Sequence, residues 1–95
     1  MKLYVFLYND TIGTQQSVQF FLETRREVLN WFRFAPHSFL LVSNESLQTL
    51  TVMFQNNFPG SWFFLSEING TTSNGILPQG YWDFINNPKS SGKWQ

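Results

Sequence analysis

Ninety-five residues suffice for one domain and leave no room for two cores, and six basic against six acidic side chains give a net formal charge of zero. Charged residues make up 13% of the chain and aromatic ones 19%, the opposite of the balance that keeps a chain disordered, so the composition predicts a folded protein. The scattered bases Lys2, Arg25, Arg26, Arg33, Lys89 and Lys93 argue against a phosphate-tracking face, the lack of cysteine excludes disulfides and thiolate metal sites, and no apolar run reaches bilayer length, which together point to the cytoplasm and away from a membrane.

Residues 2–9, KLYVFLYN, predict a strand with two apolar faces. Leu3, Val5 and Leu7 form one face and Tyr4, Phe6 and Tyr8 the other, the pattern of a central strand covered on both sides. The turn 10-DTIGT-14 follows, with Thr14 placed to cap a helix. From Gln15 to about Asn30 the period becomes helical: Val18, Phe21, Leu22, Arg25, Val28 and Leu29 share one stripe, and Gln16, Gln19, Glu23 and Arg26 face away.

Two strands, Asn30–Ala35 and Ser38–Ser43, are expected on either side of 35-APHS-38, where proline presets the backbone of a type I or II turn. The segment 43-SNES-46 supplies caps for a second helix carrying Leu47, Leu50, Phe54 and Phe58, which Pro59-Gly60 should end. A fourth strand is expected over 61–68 and a loop over 69–75. A short third helix follows, with Pro78 near its first turn and Tyr81, Trp82, Phe84 and Ile85 on its apolar side. Residues 88–95 are expected to form a flexible C-terminal tail, apart from Trp94, leaving a single domain over residues 1–87.

Right-handed crossovers fold this order into an α+β protein, a ferredoxin-like βαββαβ sandwich with an additional C-terminal helix. Two helices cover one face of such a sheet, yet the first, third and fourth strands are apolar on both. The uncovered remainder is therefore expected to meet a second copy, as a homodimer, or another protein. Tyr4, Phe6, Tyr8, Trp31, Arg33, Trp62 and Phe64 are the residues expected at that interface.

The opening strand ending Tyr8-Asn9-Asp10, the Trp31-Phe32 hairpin entering Phe39-Leu40-Leu41-Val42, the strand ending Ser66-Glu67-Ile68 and the closing 77-LPQGYWDFINN-87 together form a pattern over about residues 3–87. In these features the chain resembles the small bacterial SinR-like hypothetical protein family, related in fold to the CRISPR adaptation nuclease subunit and to virulence-associated protein D. In the nuclease relatives an Asp follows the tyrosine that ends the first strand, and two copies meet to hold a divalent cation. At the matching place this chain has Asn9, with Asp10 one residue later. Under that reading Asp10 and Asn9 are the candidate catalytic residues and Asp10 the ligand of Mg2+. An amide is a neutral, poor ligand for that ion, and strand alternation sends Asn9 and Asp10 to opposite faces unless the strand bulges.

Each candidate also has a plain structural role. Asp10 is an ordinary turn former, and His37, the single histidine, sits at a turn with no carboxylate near it in sequence. Glu23 and Glu27 lie one helical turn apart with Arg25 and Arg26 between them, which describes a solvated helix face. Three functions remain open: a non-enzymatic homodimeric interaction module, an accessory protein of a bacterial or mobile-element defence or toxin–antitoxin-like system, with no cofactor; a Mg2+-dependent nuclease; and a binder of nucleotides or single strands on an aromatic sheet.

Overall fold

The computed structural model describes residues 1–94. The first strand, β1 (Lys2–Tyr8), pairs antiparallel on one side with β3 (Ser38–Ser43) and on the other with β4 (Phe63–Ile68). The hairpin partner of β3, β2 (Asn30–Ala35), lies beyond it, so the four-stranded antiparallel sheet has the order β2-β3-β1-β4. Three helices accompany it: α1 (Gln15–Thr24), α2 (Leu47–Asn57) and α3 (Gln79–Asn86). The chain is thus α+β. No helix among the described residues is long and apolar enough to cross a membrane.

Local chemistry sets most of the element ends. The Thr14 hydroxyl accepts from the Ser17 amide at 3.1 Å and the Ser46 hydroxyl from the Thr49 amide at 3.1 Å, each satisfying a first-turn N–H that the helix itself leaves free. Past α2, Gly60 takes a φ of 76°, a left-handed conformation open to glycine at no steric cost. The hairpin turn reaches the same region with a side chain in place: His37 has φ 63°, the sign a type II turn needs at its third residue. One extra residue between Arg33 and Ala35 shifts the β2–β3 register, a bulge next to that turn.

Helix α1 stops at Thr24, several residues short of the expected Asn30. Arg25 is extended, the Val28 amide turns back to the Arg25 carbonyl, and the Leu29 amide already donates to Val42 at 2.8 Å, as the lead-in to β2. Joining the sheet claims the backbone that a longer helix would have used. Val28 still reaches the core, from a turn instead of a helix.

The sheet divides the apolar residues by alternation. Tyr4, Phe6 and Tyr8 of β1, with Phe39 and Leu41 of β3, face α1 and α2 and pack on Val18, Leu22, Leu50, Met53 and Phe54. The Phe6 and Phe54 rings stack with centroids 4.2 Å apart. Burying each such side chain contributes about 1.5–3 kcal/mol. On the opposite face Leu3, Leu40 and Val42 pack against Ile85 of α3, with Trp82 and Phe84 beside it. Tyr81 carries that cover across to β2, where its ring meets Phe32 and Phe34 edge-on.

Residues 88–94 do not stand away from the body as a flexible tail would, and Gln95 lies outside the described residues. The Lys93 ammonium donates to the Leu22 carbonyl at 2.8 Å, the Trp94 indole to Val28 at 3.2 Å and the Ser91 amide to Leu29 at 3.0 Å. The early end of α1 leaves carbonyls without helical partners, and the tail brings donors to them.

Candidate interaction surface

Helix α3 spans only one end of its sheet face. Beyond it Trp62 is 73% exposed, Phe64 59% and Leu7 42%. Leu7 and Phe64 are directly cross-strand, and the Trp62 carbonyl receives the Asn9 amide at 3.3 Å, so the three side chains lie on one patch. Around the edge of β4 a groove of about 590 Å³ opens between that strand, with Trp62 and Phe64 in its lining, and Leu47, Thr51 and Gln55 of α2. Among the described residues no charged one lines it.

Between patch and groove runs the free edge of β4. Asn9 directs its amide to Trp62, whereas Tyr8 directs its own to His37 beside β3. By alternation Phe63, Leu65 and Glu67 turn their N–H and C=O groups outward, with no strand beside them. The edge carries no proline, no lysine and no shift of register along its pairing with β1. The opposite edge, β2, is bulged, bears Arg33, and is flanked by the tail through the bond from the Asn30 side chain to the Lys89 carbonyl. Natural sheets blunt their edges by such means, and β4 has of them only the charge of Glu67, near its end.

The residues expected at the interface separate accordingly. Tyr4, Phe6 and Tyr8 are buried beneath α1 and α2, and half-buried Trp31 joins the same cluster with its indole N–H donating to Glu23 at 2.6 Å. This corrects their placement on a partner-facing surface: the ring-bearing face of β1 is the face the chain's own helices cover. Arg33 is exposed but lies cross-strand from Phe39, on the helical side. Trp62 and Phe64 do face solvent. Leu7 is not among the residues expected at the interface; alternation with Tyr8 puts it on the other face of β1, the one α1 and α2 leave uncovered.

At the same end of the sheet the fold brings Asp10 to His37, with Nε2 and Oδ1 2.6 Å apart. The imidazole ring lies 5.4 Å from the Tyr8 ring, and the Tyr8 amide donates to the His37 carbonyl at 3.1 Å. The buried Tyr8 hydroxyl has no hydrogen-bond partner among the described residues. Burial pushes its pKa up, the nearby Arg33 charge opposes this, and Asp10 adds to it. Asn9 is occupied locally: its side-chain oxygen accepts from the Thr11 amide at 3.0 Å and from the Thr11 hydroxyl, which in turn receives the Trp62 amide at 2.9 Å.

These residues do not fit a Mg2+ site within one chain. Asp10 offers a single, 91% exposed carboxylate already paired with an imidazole, and Mg2+ requires an oxygen-rich octahedral shell. Among the described residues no group of three or more His, Cys, Asp or Glu side chains converges to hold a metal. Comparison with protein-family models, curated proteins and solved structures returned no match.

Proposed function

We propose that this chain is a non-enzymatic interaction module, a ferredoxin-like βαββαβ unit with an appended helix, which self-associates through the β4 side of its sheet. The strand order β2-β3-β1-β4, with α1 and α2 on one face, supports the topological part of this reading. Its resemblance to SinR-like proteins supports an accessory role in a bacterial or mobile-element system. The observation that carries the functional part is the contiguous exposure of Trp62, Phe64 and Leu7 beside a strand edge without bulge, proline or lysine.

Binding of nucleic acid is disfavoured by the same geometry. Single-strand binders combine stacking rings with cations that follow the phosphates, whereas the groove here is uncharged and Arg33 lies on the helical side. Oligonucleotides at low salt should accordingly leave the tryptophan fluorescence unquenched.

Dilution of the purified chain, followed by size-exclusion chromatography with light scattering, tests the proposal. Trp62→Ser and Phe64→Ser should each weaken self-association at least about tenfold, the scale expected of an aromatic anchor at an interface centre. Arg33→Ser should leave it unchanged. Equal weakening by all three substitutions would contradict the assignment to the β4 side.

A further inference from the structure

The exposed patch decides how two copies can meet. At their fractional exposures Trp62, Phe64 and Leu7 offer together on the order of 350 Å², taking about 150–250 Å² for a whole aromatic side chain. A stable interface needs roughly 800 Å² per partner. Packing patch on patch, one open sheet face against the other, therefore falls well short. Pairing along the strand edge brings further groups into the contact. It engages Trp62 and Phe64, the groove those rings line together with Leu47, and the outward backbone groups of β4.

From this we infer that β4 pairs with β4 of a second copy, antiparallel across a two-fold axis, to make one continuous sheet; the inference rests on the reading that the chain self-associates. The charge pattern selects the direction. Glu67 is the only charged residue of β4, near its C-terminal end. Parallel pairing in register sets it against its own counterpart, and like charges directly opposite are destabilising. Antiparallel pairing centred on Leu65 sets Glu67 across from Phe63, and Phe64 across from Ser66. In that register the outward backbone groups of Phe63, Leu65 and Glu67 meet those of Glu67, Leu65 and Phe63 in the second copy. Every free N–H then finds a carbonyl. The uncharged groove suits a neutral apolar neighbour, and the rings of β4 itself are one.

Residue-resolved hydrogen exchange on the full chain, at concentrations spanning the association transition, tests the pairing without any substitution. The amides of Phe63, Leu65 and Glu67 should slow at least tenfold as the copies associate, whereas those of Phe64 and Ser66, bonded to β1, should be protected throughout. Glu67→Pro removes one outward N–H while leaving the β1 ladder whole, and should weaken association at least tenfold. Association without slowing of the three amides overturns edge pairing and leaves self-association standing. A chain that stays monomeric overturns both. Protection that arises only on adding an extended apolar peptide assigns the edge to a foreign strand and likewise overturns the pairing.

Discussion

His37 holds a left-handed φ of 63° while its imidazole bonds to Asp10 and packs on the Tyr8 ring. Left-handed backbone costs an L-residue about 1–2 kcal/mol, and glycine escapes most of that cost. Removing the side chain in two ways separates the terms. His37→Ala loses the bond and keeps the strain; His37→Gly loses the bond and relieves it. Urea denaturation should find the glycine variant about 1 kcal/mol more stable than the alanine variant. Equal stabilities would contradict the left-handed assignment. The Asp10–His37 pair itself was not legible in the sequence, because 27 residues separate the partners and only β1–β3 pairing brings the two turns together.

Glu27 supplies the residue-scale dependence on pH. Burial raises its carboxyl pKa, but hydrogen bonds from its own backbone amide and from Arg25 at 3.1 Å, with the guanidinium charge, outweigh this and hold it below the ordinary 4.5. A carboxyl whose folded pKa lies below its unfolded one binds protons more weakly in the folded state. Its stabilisation is therefore complete above the ordinary value and is lost as pH falls through the folded one. Glu27→Gln should be less stable than the parent at neutral pH, and the gap should close as acidification carries the pH through the lowered carboxyl pKa. A gap of constant size from neutral to acid, measured by chemical denaturation, would contradict the ion pair's role.

At the scale of elements, signals that act locally were read correctly. Thr14 and Ser46 cap the helices they precede, and the hairpin strands fall at Asn30–Ala35 and Ser38–Ser43. The end of α1 was not legible. The stripe through Arg25, Val28 and Leu29 fits a helix as well as a turn that feeds Val28 into the same core, and the competing claim comes from Val42, far along the chain. The docked tail escaped for a related reason: its donors answer carbonyls that are free only because α1 ends early. Burial lowers the Lys93 pKa, with Glu23 opposing, as its ammonium sits against the chain. Truncation after Asn87 should cost about 1.5–4.5 kcal/mol, from the bonds that Ser91, Lys93 and Trp94 donate, worth about 0.5–1.5 kcal/mol each. A truncated chain as stable as the parent would contradict the docking.

Across the whole molecule, the two-sided apolar pattern of the strands implies more apolar surface than two helices can cover, but not which surface. Alternation along β1 defines two faces without naming the one that α1 and α2 will take. The rings Tyr4, Phe6 and Tyr8 resemble an interface until Val18, Leu22 and Phe54 are seen packed on them. Helix α3 then covers part of the opposite face through Ile85, and on the sheet itself the excess reduces to Leu7, Trp62 and Phe64, while Phe20, Val52 and Ile76 stand exposed elsewhere. A smaller exposed surface than the sequence implies thus carries the same expectation of a partner, moved from the centre of the sheet to its β4 side.

Sedimentation equilibrium of the full chain over a micromolar concentration series addresses that expectation most directly. The mass should rise with concentration toward that of two chains and stop there, because a two-fold pairing of one edge with itself is closed. The mass of a single chain at every concentration, with Trp62 and Phe64 left in water, would contradict it.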